Sequence, residues 1–364
     1  MSDSVSLAAG STEPPAAAFD VALLDLDGVV YVGPDAVPGV PEALAAARAA
    51  GMRLGFVTNN AARTPEEVAG HLTDLGVPAQ AGDVITSSQA AATVVAARLG
   101  AGALVLPVGG PGVAAALLAA GLQVVERAED GPAAVVQGYG RDVGWAQLAE
   151  AVVAVRNGAR HVATNTDATI PSPRGPLPGN GAMVGVVSAI TGQAPLVTGK
   201  PDPAMHAECV RRTGARRPLV VGDRLDTDIE GARHAGAPSL LVLTGVTDPV
   251  GLLAAPPQHR PDLLAADAAG LLVPHPPVIR RAGAWRCGSW TAQPAEGDGR
   301  WLLTADDSAP DAGDGLDGLR ALCVAHWDRN PHEGAAARIE AVGPAAAAAL
   351  TAWGVAPAPA GSEQ

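Results

Sequence analysis

From residue 20 onward, short apolar runs alternate with alanine-rich stretches of helical period, and this alternation restricts the fold more than any other feature of the chain. Val21-Ala22-Leu23-Leu24 reads as a buried strand, and VPEALAAARAAG as a helix stopped by Gly51. RLGFVTNN is a second strand. TPEEVAGHLTDLG is a helix with Thr64 as N-cap, Pro65 at its first position and Gly76 as its stop. ITSSQAAATVVAARLG reads as a further helix. The order strand, helix, strand, helix implies a Rossmann-like α/β fold with a doubly wound parallel sheet.

From about residue 101 a second set appears. ALVLPVG and AAVVQGY read as strands, and VAAALLAAG, GWAQLAEAVVAVRNG and AMVGVVSAITG as helices. The first style then returns in PLVTGKPDPAMHAECVRRTG, RPLVVGDRLDTDIEGARHAG and SLLVLTGV. The middle set is therefore an insertion within one sheet domain. Past residue 276 the composition changes: five of the six tryptophans lie there, beside the polar stretch TADDSAPDAGDG. VPHPPV, just before it, reads as a linker. The expected division is a disordered tail over 1–19, a core over 20–98 and 195–273, an α/β cap over 99–194, a small appended domain over 277–355 and a disordered end over 356–364.

The chain has 364 residues, 48% of them hydrophobic, enough for two or three domains and a sizeable core. A net charge of −13 argues against unaided binding to nucleic acid or an anionic membrane. No apolar stretch approaches the roughly 18 residues that a membrane span needs. The N-terminus has neither a basic n-region nor a long apolar core, so no signal peptide is expected. Three widely spaced cysteines, Cys209, Cys287 and Cys323, suit a reducing cytoplasm better than a disulfide framework. Arginine is the default cation, and Lys200 is the one lysine in the chain. A lone lysine marks a place where a compact ammonium fits and a guanidinium does not.

Four segments fall at strand ends: Asp25-Leu26-Asp27-Gly28, Thr58-Asn59-Asn60, Gly199-Lys200-Pro201, and Gly222-Asp223 followed by Asp226 and Asp228. Ligands of an open parallel sheet bind outside the carboxyl ends of its strands. Two carboxylates as close as Asp25 and Asp27 repel each other unless something compensates. Asp25 and Asp223 can share a hard cation, most simply Mg2+, which prefers oxygen ligands. Thr58, Lys200 and the turn amides after Asp25 can hold a phosphoryl group. Positioning and charge neutralisation are most of what phosphoryl transfer needs. Asp25 can attack phosphorus, and Asp27 can protonate the leaving alcohol and then activate water.

This arrangement resembles the haloacid dehalogenase superfamily, whose four motifs are all present and in order. DLDGVVY, TNN, GKP and GDRLDTDIEGA look more like the branch holding the 4-nitrophenyl phosphatases and the N-acetylglucosamine-operon-type phosphatases. That branch carries an α/β cap between its second and third motifs. The resemblance covers roughly residues 20 to 273. It implies Asp25 as nucleophile and Asp27 as general acid and base. It implies phosphate or substrate binding by Thr58, Asn59, Asn60 and Lys200. It implies metal ligation by Asp25, the backbone carbonyl of Asp27 and Asp223, with Asp228 in support. Dehalogenases of this superfamily lack the second aspartate, so Asp27 points to phosphate.

In the cap, NTDATIPSPRGPLPGNGAMV looks like the substrate-proximal stretch of enzymes acting on glycerol phosphate and phosphoglycolate. Pyridoxal-phosphatase-like members carry a histidine where Ile170 stands here. Asp167 and Arg174 are the candidate specificity residues. The chain as a whole, tail included, is similar to the actinobacterial glycerol 3-phosphate phosphatases, whose tail has been likened to an acetyltransferase fold. No clear loop for an acyl-CoA pyrophosphate is found in this tail. The resemblance also implies a homodimer formed through the cap.

The expected activity is a Mg2+-dependent phosphomonoesterase using an aspartyl-phosphate intermediate on a small phosphorylated metabolite, glycerol 3-phosphate preferred. The alternatives are a broad or phosphoglycolate and sugar-phosphate phosphatase, and a catalytically degenerate metabolite-binding regulator. Three lesser patterns carry a blander meaning. Gly110-Pro111-Gly112-Val113-Ala114-Ala115 is close to a dinucleotide fingerprint but reads better as a short glycine turn. Cys323, His326 and His332 with Cys287 have usable but isolated zinc spacing. His234 reads as a packing or surface residue, and the tail tryptophans as core.

Overall fold

A computed structural model describes residues 5–170, 174–296, 299–306 and 313–356. Residues 357–364 of the expected disordered end over 356–364, and much of the TADDSAPDAGDG stretch, lie outside the described residues. The chain divides into two compact units, Met1–Leu54 with Arg217–Gln364, and Gly55–Arg216. The strand Arg53–Thr58 runs across that division in the sequence.

The first unit holds four parallel strands in the order Leu263–Ala265, Ser239–Val242, Pro218–Gly222, Val21–Asp25. Val21 pairs with Pro218 and Leu24 with Val221. Val21, Ala22, Leu23 and Leu24 are all buried, as a strand covered on both faces requires. The polar residues begin where the strand ends, at Asp25.

The same unit contains the C-terminal region. Its strands Ile279–Arg281, Ala284–Cys287, Trp290–Pro294 and Trp301–Ala305 form an antiparallel meander. Ile339–Val342 adds to Trp301–Ala305 in parallel. The helix Asp317–Arg329 packs on this sheet, and every residue from Asp317 to Trp327 is buried. All five tail tryptophans are core residues, as expected.

Two expectations about flexibility give way here. Residues 5–19 are not a disordered tail. Leu7 is buried in the core of this unit, Pro15–Ala18 is helical, and the Ser11 N–H donates to the His275 carbonyl at 2.9 Å. VPHPPV is not a loose linker. The His275 ring bonds the Gly270 carbonyl at 2.9 Å, and Val278 joins the hydrophobic core. Prolines and small residues read as loop in a sequence, but here an apolar anchor at Leu7 and a buried imidazole hold both segments down.

In the second unit, Phe56, Val57 and Thr58 pair in parallel with Val84, Ile85 and Thr86. The helix Pro65–Asp74 starts as the sequence predicts. The Thr64 hydroxyl accepts from Glu67 N, and Glu67 returns the bond to Thr64 N. The inserted set forms a second, five-stranded parallel sheet in the order Leu196–Val197, Arg160–Ala163, Ala134–Gln137, Leu104–Val108, Gln123–Val124. Its last strand lies beyond residue 194, the expected end of the cap. Helices Trp145–Arg156 and Asn180–Thr191 cover one face through Val155 and Val187. Ser87–Leu99 and Pro111–Ala119 cover the other through Val95 and Leu117.

The glycine turn before Pro111–Ala119 serves packing. A Cβ on Gly112 would lie 2.4 Å from the Arg63 carbonyl oxygen, and the Gly112 N–H already donates to the Ala62 carbonyl. The helix N-terminus that a dinucleotide would need is covered by that loop.

Candidate active site

The acidic motif residues of the first unit converge. Asp25, Asp223 and Asp228 each offer a carboxylate oxygen, all within 4.8 Å of one another. Asp25 is half-buried, and Asp223 and Asp228 are fully buried. Asp25 comes from the end of Val21–Asp25, and Asp223 from the end of the neighbouring strand Pro218–Gly222. Parallel pairing of those strands is what brings two sequence-distant carboxylates together. Asp228 sits in the single wide turn Leu225–Ile229, where its Oδ2 accepts the Arg224 N–H at 3.1 Å. It was expected only to support the metal, yet its oxygen stands inside the same 4.8 Å group.

The groove around Asp223 is cut for a carboxylate. A Cβ on Gly28 would lie 2.4 Å from Asp223 Oδ2, and one on Gly245 would lie 2.0 Å from it. Gly28 also has φ near +87°, which favours glycine. The Val246 N–H donates to Asp223 Oδ2 at 2.7 Å, and the Thr244 hydroxyl ties its turn to the Gly28 carbonyl at 2.5 Å. Three oxygen donors of this kind, crowded so closely, suit a hard divalent cation, and without one they would repel.

Asp27 lies two residues past Asp25 and is exposed, outside the acidic trio. Asp226 is also outside it. Burial would raise the Asp226 carboxyl, but two hydrogen bonds from Arg224, at 3.1 and 2.8 Å, hold it below the usual carboxylate range.

The remaining motif residues lie in the second unit and form their own network. The buried Thr58 hydroxyl accepts the Asn60 N–H at 3.0 Å, so its own proton can be donated elsewhere. Asn60 Oδ1 accepts the Ala62 N–H. Asn59, expected to touch substrate, bonds the main chain of Lys200 in this structure. Asn59 Oδ1 accepts the Lys200 N–H at 2.9 Å, and Asn59 Nδ2 donates to the Lys200 carbonyl at 3.2 Å. The same Nδ2 reaches Asp167 Oδ2 at 3.4 Å. Asn59 is therefore a clamp that fixes the main chain at the lysine. Asp167 joins this group, whereas Arg174 is exposed on the following loop.

Sequence reasoning missed the residues that hold the clamp. Ser87 Oγ and Asn165 Nδ2 both donate to the Asn59 carbonyl, at 2.7 and 2.6 Å, and Asn180 Nδ2 donates to the Asn165 carbonyl. Gly245 and Val246 were missed as well. Nothing in a sequence marks a backbone N–H as a ligand-positioning group.

The zinc pattern in the tail dissolves. His326 Nδ1 accepts from Trp301 Nε1 at 3.1 Å, and its Nε2 donates to the Ala335 carbonyl at 2.8 Å. Both ring nitrogens are thereby used, and His332 is exposed. Burial raises the thiols of Cys287, to about 12, and Cys323, so neither is a ready thiolate.

The chain matches the model for haloacid dehalogenase-like hydrolases over residues 22–123, a related hydrolase model over 197–271, and a GCN5-related N-acetyltransferase-like domain over 287–355. It is 44% identical over 340 residues to the D-glycerol 3-phosphate phosphatase of Mycobacterium tuberculosis, covering 92% of this chain and 94% of that one. A crystal structure of the glycerol phosphate phosphatase of that organism in complex with magnesium superposes with a TM-score of 0.83 at 43% identity, over 94% of this chain and 99% of the other. The acid sugar phosphatase of Staphylococcus saprophyticus is 39% identical over 227 residues, 62% of this chain and 86% of that protein.

Proposed function

The chain belongs to the haloacid dehalogenase-like hydrolases, and from that membership we propose that it is a Mg2+-dependent phosphomonoesterase with glycerol 3-phosphate as its preferred substrate. The observation that carries the reading is the trio Asp25, Asp223 and Asp228. These residues hold the cation, which when bound offsets the charge of the phosphoryl oxygens and the carboxylates. Thr58 and Lys200 bind the phosphoryl group by donating to its oxygens, Asn60 supports Thr58, and Asn59 positions Lys200.

An Asp25 carboxylate oxygen attacks phosphorus. The new O–P bond forms as the ester P–O bond breaks, and the leaving alkoxide takes its proton from Asp27. Asp27, now a carboxylate, removes a proton from water. That water attacks the aspartyl-phosphate at phosphorus, releasing inorganic phosphate and restoring Asp25. The exposure of Asp27 suits this exchange with leaving group and water.

Functionally, residues 20–98 and 195–273 act as the catalytic core. Residues 99–194 act as a specificity cap, with Asp167 and Arg174 as its candidate contacts. The enzyme works in the cytoplasm. It forms a homodimer through the cap, where Trp145, Val153, Val186 and Ile190 are exposed on two adjacent helices.

The deciding assay is phosphate release, with Mg2+, from glycerol 3-phosphate, phosphoglycolate, pyridoxal phosphate, several sugar phosphates and 4-nitrophenyl phosphate. A tenfold lead in kcat/KM, about 1.4 kcal/mol of transition-state discrimination, establishes glycerol 3-phosphate. Weak and even hydrolysis of all of them replaces it with the broad-specificity reading. Asp25→Asn is expected to abolish turnover in a folded protein, and surviving activity would remove Asp25 as nucleophile.

A further inference from the structure

The helix Asp317–Arg329 is buried along almost its whole length, which is unusual for a helix of a small appended domain. One side faces the tail sheet. Other bonds reach across to the parallel-sheet region of the same unit. Trp327 Nε1 donates to the Leu253 carbonyl at 3.2 Å, and Arg320 Nη2 donates to the Leu264 carbonyl at 2.6 Å. Arg320 is itself held by Asp314 and Asp317, at 2.6 and 2.8 Å, and is 2% exposed. From the opposite direction, Arg260 Nη2 donates to the carbonyls of Asn330 and Glu333.

The hydrophobic core is shared in the same way. Trp285, Trp290, Trp301, Leu319 and Leu322 belong to one cluster with Ile229, Leu241 and Leu264, and Leu225 and Leu243 pack against it. The positions of these last residues matter. Leu225 and Ile229 bracket the turn that carries Asp228. Leu243 leads into the turn whose Val246 N–H holds Asp223. Two of the three carboxylates in the trio thus stand on or beside segments whose apolar residues join the hydrophobic core that the tail also enters.

The helix Asp317–Arg329 also presents nothing to a diphosphate. Its first turn carries Asp317, with Asp314 just before it, both engaged by Arg320. Negative side chains at a helix N-terminus oppose an anionic ligand there.

We propose that the C-terminal domain is a positioning element for the acidic metal site rather than an acyl-transfer module: it is the wall against which the Asp223 and Asp228 turns are set. The metal role of those carboxylates rests on the function proposed above. Loosening the wall should lower Mg2+ affinity, because preorganisation of oxygen donors is lost, while leaving the phosphate-binding residues of the second unit intact.

The test uses the full chain with Trp327→Phe and Arg320→Leu. Trp327→Phe keeps an aromatic ring and removes the bond to Leu253. Arg320→Leu removes the buried ion pairs and is the costlier change to the fold, so Arg260→Ala serves as a third variant. Folding is checked by circular dichroism, and Mg2+ binding is measured by calorimetry without substrate. Folded variants are expected to bind Mg2+ at least fivefold more weakly than the unaltered chain. Their kcat should recover at high Mg2+, with KM for the phosphoester unchanged. Folded variants that melt earlier yet bind Mg2+ as the unaltered chain does would overturn the proposal and leave the tail a purely stabilising domain. A chain that binds Mg2+ through Asp223 but hydrolyses no ester would instead overturn the phosphatase reading and leave the positioning role standing.

Discussion

Asn59→Ala separates positioning from substrate contact. The Asn59 side chain makes two good hydrogen bonds to the main chain of Lys200, at 2.9 and 3.2 Å, and a long one to Asp167 at 3.4 Å. A hydrogen bond of this type contributes about 1 kcal/mol net, so the two to Lys200 amount to about 2 kcal/mol. If that energy serves to place the lysine, its loss should lower kcat/KM roughly thirtyfold. The assay is steady-state phosphate release at saturating Mg2+, with melting temperature measured alongside. A cycle with Lys200→Ala makes the test sharper. Asn59 acts through Lys200, so removing Asn59 from a chain that already lacks the lysine should cost little further. Additive losses would mean that Asn59 touches substrate itself. A single Asn59→Ala variant within twofold of the unaltered chain would refute the clamp.

Two further predictions concern the inserted sheet. His161 is buried, its Nε2 shares a hydrogen bond with Gln137 Oε1 at 3.0 Å, and burial lowers its pKa from 6.5 to about 4. The unfolded chain therefore binds more protons between about pH 4 and 6.5, and stability should rise with pH across that window and be complete above it, by at most about 1.4 kcal/mol per pH unit for this one group. His161→Gln should flatten the dependence of melting temperature on pH there, and an unchanged slope would exclude His161 as its source. Trp145, 84% exposed at the start of its helix, should be covered in the dimer. Sedimentation of the unaltered chain as a dimer and of Trp145→Glu as a monomer is the expected pair of results, and a monomeric unaltered chain would remove the cap-mediated dimer.

Much of this protein was legible in one dimension because its signals are local. Apolar runs such as Val21–Leu24, the Thr64 and Glu67 capping pair, and Gly51 and Gly76 after their helices act through neighbours a few residues away. The strand-end carboxylates were legible for a related reason. A parallel sheet places the ends of its strands together, so Asp25 and Asp223 can be paired from sequence alone. What only the tertiary structure decided depends on contacts between distant residues. From sequence the Asn59 amide could face a phosphate or Lys200, and in the structure it bonds the Lys200 main chain across 141 residues. Leu7 and His275 sit in sequence that reads as loop, yet burial orders both. The tail looked separable because composition changes at residue 276, but its helix and the turn bearing Asp228 share one hydrophobic core. Composition records what each residue prefers, whereas a shared core depends on which surfaces meet, and that is fixed only when the chain is folded.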